Sequence, residues 1–142
     1  MKKLLIVIIA LVILGCSSEQ EDTKGAQKEI EGFVEGMRLY NATCAACHTA
    51  EGEPKIPVYP PLKGSDYLEE NQNTIACIIR YGIDEPLVVN GKEYKIKMTG
   101  FKDYSAQEIS YIINYINNSW GNDFGTVKTE EVIKNLKNCT QD

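Results

Sequence analysis

Cys44-Ala45-Ala46-Cys47-His48 is the one stretch of the chain whose residue types and spacing specify a chemistry. The C-x-x-C-H pattern marks covalent haem attachment. On a helical turn, each thiol can add to one vinyl group of the same porphyrin. The adjacent imidazole is then held beneath the iron as an axial ligand. His48 is the sole histidine in the chain, so one chain cannot supply a bis-histidine haem. The other axial position falls to a methionine, a weaker ligand or nothing. Three other uses of the Cys pair compete. A thioredoxin-like redox pair needs a βαβ context that the pattern does not offer. A zinc site needs four ligands and would have to recruit Cys77 or Cys139. A disulfide between Cys44 and Cys47 is geometrically awkward.

Two methionines bear on the open axial position. Met37 lies on the apolar stripe of its own helix and reads as core packing. Met98 lies far downstream, in Lys97-Met98-Thr99-Gly100-Phe101. A loop wrapping round the haem would bring it to the iron; otherwise it is an apolar residue on a surface loop.

The elements that must position these groups are mostly helical. Ile30, Phe33, Val34 and Met37 fall at i, i+3, i+4 and i+7, one stripe of a helix. Gly32 and Gly36 interrupt it and hint at close helix packing. Residues 49–64 hold four of the five prolines, so they form a loop. A short helix spans Asn73 to Tyr81, with Asn73 as N-cap and Gly82 past its end. Asn90-Gly91 between short extended pieces signals a tight hairpin. Ser105-Ala106-Gln107-Glu108 is a capping box flanked by Tyr104 and Ile109 as a hydrophobic staple. Ile109, Ile112, Ile113, Ile116 and Trp120 continue the helical stripe behind it. Thr129 caps a last helix through Asn138, with acidic residues first and basic residues last, the order that suits the helix dipole.

Ahead of this domain, Lys2 and Lys3 precede an apolar run from Leu4 to Leu14, which reads as a secretory signal and is too short to span a bilayer. Ile13-Leu14-Gly15-Cys16 resembles the lipobox of bacterial lipoproteins, which implies cleavage before Cys16 and its acylation. The organisation expected is a signal peptide at 1–15, a lipidated cysteine and flexible polar tether at 16–28, and one domain at 29–142. The location expected is extracytoplasmic, periplasmic or at the cell surface, anchored to a membrane by lipid. The formal net charge of −5 grows more negative once Lys2 and Lys3 leave. An acidic surface disfavours nucleic acid and anionic lipid heads, and favours a basic patch on a partner.

From Gly36 to Asn122 the chain resembles a small class I, mono-haem c-type cytochrome of bacteria. "GMRLYNATCAACH", "YPPLKGSDYL", "VVNGKEY", "KMTGF" and "SAQEISYIINYINNSWGN" match that family's segments in order. The resemblance implies an all-α fold of about four to five helices with long loops around one haem c. It implies thioether bonds at Cys44 and Cys47, His48 as proximal ligand and Met98 as distal ligand. It implies that the Pro60 carbonyl accepts the His48 ring proton, and that the terminal helices cross at Gly36 against Tyr111 or Tyr115. Thr99 follows Met98 where the family has proline, which predicts a softer loop. Arg80 and Trp120 are candidates to hold the propionates.

Cys77 and Cys139 remain as an even pair in an oxidising compartment. They form either a disulfide between the middle and last helices or two buried thiols. The function expected is electron transfer between extracytoplasmic redox partners, with no catalytic residue, as a monomer or complex subunit. The alternatives are the haem subunit of an oxidase or dehydrogenase, and an open-site haem enzyme or gas sensor.

Overall fold

The computed structural model describes residues 19–54 and 56–139. The signal peptide at 1–15 and the lipidation site Cys16 lie outside the described residues. Helix α1 (Glu19–Thr43) passes from one compact unit that ends at Glu31 into a second that begins at Gly32. Residues 19–28 are therefore helical, which corrects the flexible tether expected there. Glu, Gln, Lys and Ala are strong helix formers without any apolar face, and the Gln27 amide donates to Glu31 one turn on at 3.4 Å.

In the second unit α1 is followed by α2 (Ala45–His48), α3 (Asp66–Glu70) and α4 (Gln72–Tyr81), then by α5 (Ala106–Asn117) and α6 (Thr129–Lys137). Four short strands lie between α4 and α5: β1 (Gly82–Ile83), β2 (Leu87–Val89), β3 (Lys92–Tyr94) and β4 (Met98–Thr99). They form two antiparallel ladders, β1 with β4 and β2 with β3. The core gathers Leu39 and Tyr40 of α1, Ile75 and Ile79 of α4, the isoleucines of α5 and Val132 of α6.

The buried face of α1 is not its apolar stripe. Ile30, Phe33, Val34 and Met37 are 60%, 36%, 51% and 39% exposed. The side turned inward carries Gly32, Gly36, Leu39 and Tyr40. A Cβ at Gly36 would stand 2.1 Å from the Tyr111 carbonyl oxygen and 3.0 Å from the Tyr115 Cβ. Only glycine lets α1 and α5 approach so closely, and that closeness decides which face is buried. Met37 is thus a surface residue, not the core residue expected.

The caps follow the sequence with small shifts. Ser105 and Glu108 close the capping box of α5, each side chain accepting from the other's backbone N–H. Helix α4 starts at Gln72, one residue earlier than expected, and its N-cap Asn71 makes no side-chain cap. Thr129 is the first residue of α6 rather than its cap. Its hydroxyl pairs with Ser110 at 3.2 Å, and the Lys128 N–H donates to Glu131 at 2.8 Å. Trp120 lies past the end of α5 in the left-handed region, at φ 57°. No helix among the described residues is long and apolar enough to cross a membrane.

Candidate functional site

Helix α2 is a single turn that follows α1 after Cys44, whose own backbone is right-handed helical at φ −78° and ψ −36°. The Cys44 N–H donates to the Tyr40 carbonyl at 2.8 Å, and the His48 N–H donates to the Cys44 carbonyl at 3.0 Å. Both cysteines are free thiols, Cys44 half-buried and Cys47 exposed. His48 is only 9% exposed. Its Nδ1 lies 3.0 Å from the Pro60 carbonyl oxygen. A carbonyl can only accept, so Nδ1 carries the proton and Nε2 is the ring atom with a free lone pair. Burial pushes the His48 pKa down, and the Pro60 hydrogen bond offsets part of that. The imidazole is therefore held neutral, the form that binds metal. Burial pushes the Cys44 thiol up.

The loop after α2 is fastened in turn. Tyr40, fully buried, donates its hydroxyl to the Thr49 carbonyl at 2.6 Å. The Leu62 and Lys63 N–H groups donate to the Gly52 carbonyl at 2.8 and 3.0 Å. The Trp120 indole N–H donates to the Ala50 carbonyl at 2.9 Å.

Met98 arrives by another route. β4 pairs with β1 in the register Gly82↔Thr99 and Ile83↔Met98. The Phe101 N–H donates to the Ile79 carbonyl at 2.9 Å, and Arg80 Nη1 donates to the Lys102 carbonyl at 3.0 Å. A Cβ at Gly100 would stand 2.3 Å from the Tyr81 carbonyl carbon. Thr99, where the family has proline, is thus part of a backbone ladder.

Cys44, Cys47, His48 and Met98 line one cavity of about 340 Å³. Its remaining lining is largely apolar, with Leu68 of α3, Ile75 and Ile79 of α4, and Ile112 and Ile116 of α5. That volume lies within the range of about 300–1,000 Å³ typical of small-molecule sites. Pro60 also lines the cavity; Met37, Arg80 and Trp120 do not. Arg80 keeps one buried nitrogen, Nε, without a partner. The hairpin residues Leu87, Val89 and Tyr94 are part of the lining. Sequence reasoning had not assigned them to the site, although their alternation with Val88 and Glu93 puts them on one hairpin face.

Cys77 and Cys139 form a disulfide between α4 and the residues just past α6. They are therefore not spare metal ligands. No group of three or more His, Cys, Asp or Glu able to hold a metal exists among the described residues, so zinc finds no donor set. The described strands form only antiparallel pairs, so the Cys pair has no βαβ context. Two thiols, one neutral imidazole with Nε2 free and one thioether around an apolar cavity form a donor set that fits a haem.

A family model described as cytochrome c matches residues 33–120. The chain belongs to the cytochrome c family, electron-transfer proteins with covalently bound haem c, and its mainly helical fold around the cavity agrees. Among its relatives is cytochrome c-552 of Thermus thermophilus, 30% identical over 113 residues that cover 73% of this chain and 85% of that protein. The cytochrome c subunit of the quinone alcohol dehydrogenase of Gluconacetobacter polyoxogenes is 35% identical over 104 residues. That match covers 71% of this chain but only 22% of the subunit. The fructose dehydrogenase cytochrome subunit of Gluconobacter japonicus is 29% identical over 107 residues, 70% of this chain and 21% of that subunit. The chain therefore spans about a fifth of the length of these dehydrogenase subunits.

Proposed function

We propose that this protein carries one haem c, bound through Cys44 and Cys47, and shuttles single electrons between extracytoplasmic redox partners without itself catalysing a reaction. His48 is the proximal ligand through Nε2 and Met98 the distal ligand. The observation that carries this reading is the convergence of these four side chains on one apolar cavity. The haem supplies a one-electron ferrous–ferric couple. The residues of the chain set its environment. The Pro60 carbonyl fixes the tautomer and orientation of His48 and raises its basicity. The apolar lining excludes water and disfavours the extra positive charge of ferric iron, and methionine ligation raises the potential in the same direction. The ladder between β1 and β4 supports a distal side that stays filled, which speaks against the open-site enzyme or gas sensor.

A lipid at Cys16, after removal of residues 1–15, would anchor the protein to a membrane outside the cytoplasm, periplasmic or at the cell surface. The dehydrogenase-subunit relatives favour one second reading, a haem subunit docked to a membrane dehydrogenase. The chemistry of the haem is the same in both. Expression with cytochrome maturation machinery, followed by mass measurement and a reduced-minus-oxidised spectrum, tests the haem. The mass of one haem and a sharp c-type spectrum are expected. A colourless product with no added mass would falsify the reading. Purification of the native protein in mild detergent, alone or in a complex, separates the two roles.

A further inference from the structure

The residues that both line the cavity and are exposed to solvent define its mouth: Cys47, Ile96, Lys97 and Thr99. Two chain segments frame this mouth. One is the loop 49–63, which leads through Ile56 and Val58 to the cavity-lining Tyr59 and Pro60. The other runs from Ile83 to Thr99 and contains the hairpin. Lys92 joins them by donating to the Pro57 carbonyl at 2.7 Å, while its ammonium sits 4.8 Å from the Tyr94 ring centre.

These two segments differ from the rest of the chain in charge. In the loop, Glu51 and Glu53 balance Lys55 and Lys63; in the second segment, Asp84, Glu85 and Glu93 balance Lys92, Lys95 and Lys97. The formal charge of −5 therefore resides entirely elsewhere. Three of these lysines are paired with carboxylates. Lys63 pairs with Glu53 at 3.2 Å, Lys95 with Glu93 at 3.0 Å, and Lys97 with Asp84. Four aliphatic side chains of these segments stand out in water: Ile56 at 59%, Val88 at 56%, Val58 at 47% and Ile96 at 39% exposed.

We propose that this mouth, where the haem reading above brings the cofactor nearest to solvent, fits an apolar, charge-poor face on the redox partner. The inference rests on the haem reading above and adds the kind of partner. It also narrows the expectation that an acidic protein needs a basic patch. The charge that would steer such a patch lies away from the framing segments. Contact burial of aliphatic area, rather than long-range attraction, then holds the encounter together. The matched ion pairs around the mouth prevent repulsion of a neutral surface.

A second copy of this chain offers the same neutral, apolar mouth and serves as the probe. In self-exchange, the ferrous iron of one copy gives one electron to the ferric iron of the other, with no net change. Line broadening in NMR spectra of half-reduced, haem-loaded protein measures the rate. Two acidic molecules meeting at random faces would repel, and salt would speed their exchange steeply. Meeting at the neutral mouth, the rate is expected to change less than about threefold between low and high salt. Ile96→Asp is expected to slow exchange and make it salt-dependent. Ile133→Asp adds the same charge on α6, outside both framing segments, at a residue 42% exposed that does not line the cavity, and is expected to leave the rate unchanged. Independently of electron transfer, concentration-dependent amide shifts in the fully reduced protein are expected at Ile56, Val58 and Ile96. A rate that climbs steeply with salt, equal slowing in the two variants, or shifts elsewhere or nowhere would each overturn the docking proposal while the haem reading stands. Absence of haem would overturn both.

Discussion

The stretch carrying Cys44, Cys47 and His48 and the stretch carrying Met98 line the same cavity but are held there by different means. The first is local. Its backbone bonds run from Cys44 to Tyr40 and from His48 to Cys44, each spanning four residues, and Pro60 adds one bond to the ring. The second depends on distant partners. Met98 is held by strand pairing to Gly82 and Ile83, by the bond from Phe101 to Ile79, and by Arg80 reaching Lys102. The local stretch needs little more than its own helix to form. The other needs α4 in place first, so its stability is tied to tertiary packing. In a loaded protein the Met98 side should therefore let go before the His48 side.

The largest effect tests the local side. Cys44→Ala combined with Cys47→Ala should abolish covalent haem, leaving no haem on a denaturing gel and no added mass. Haem that stays attached to the doubly substituted chain would place the bonds elsewhere. Met98→Ala comes next and tests the other side. Haem should remain covalently attached, while the far-red sulfur–iron band of the ferric protein disappears. The potential should fall by roughly a tenth of a volt or more, part of the ≈ 0.8 V range that axial ligands span. An unchanged band would remove Met98 from the iron.

Two glycines separate the sides without touching a ligand. A Cβ at Gly36 would strike the Tyr111 carbonyl, and one at Gly100 would strike the backbone of Tyr81. In both places the neighbour is backbone, which cannot swing aside, so each Gly→Ala should destabilise the fold by about 1–3 kcal/mol or more. The pattern of loss should differ. Gly100→Ala should lose the far-red band on warming well below the temperature of global unfolding. Gly36→Ala should lower the unfolding temperature with both signals lost together. Thermal melts followed at the far-red band and by circular dichroism distinguish the two, and coincident loss in both variants would erase the contrast.

The same division explains what the sequence let one read. The haem-attachment stretch was legible because its chemistry sits in five contiguous residues. The hairpin was legible because Asn90 and Gly91 both take positive φ, 51° and 74°, as a tight turn of this kind requires. The capping box was legible because Ser105 and Glu108 meet within one turn. The buried face of α1 was misread because glycine contributes no hydrophobic signal, yet α1 meets α5 at Gly36 with no room for a Cβ. The early start of α1 was misread because propensity, not periodicity, carries residues 19–28. The ladder between β1 and β4 has only two residues per strand, too few for an alternation pattern. The pairing of Cys77 with Cys139 was legible only as parity, since the meeting of α4 with the end of α6 is a tertiary fact.

The smallest effect concerns the start of α5, which receives the chain directly after the Met98 loop. Phe101 and Tyr104 pack with ring centres 5.8 Å apart in that connection, and the Ser105 cap follows at once. The Ser105 backbone N–H and hydroxyl both donate to the Glu108 carboxylate, at 2.7 and 2.8 Å. The backbone bond above all holds the Glu108 carboxyl below its ordinary value of 4.5. A carboxylate favoured by the fold contributes its stability in full above the ordinary value. That contribution fades as pH falls through the lowered folded value. Glu108→Gln keeps the side-chain length and an accepting oxygen but does not titrate. The difference in stability between the native protein and Glu108→Gln should therefore shrink on acidification, and shrink less in high salt, since the group is near the surface. Ser105→Ala, which removes the cap itself, should cost about 1 kcal/mol at neutral pH. If the Met98 side depends on α5 as its exit anchor, the far-red band of Ser105→Ala should fade at a lower temperature, with the thioether-bound haem unaffected. A cap variant whose band persists as in the native protein would show that α4 alone carries the Met98 side.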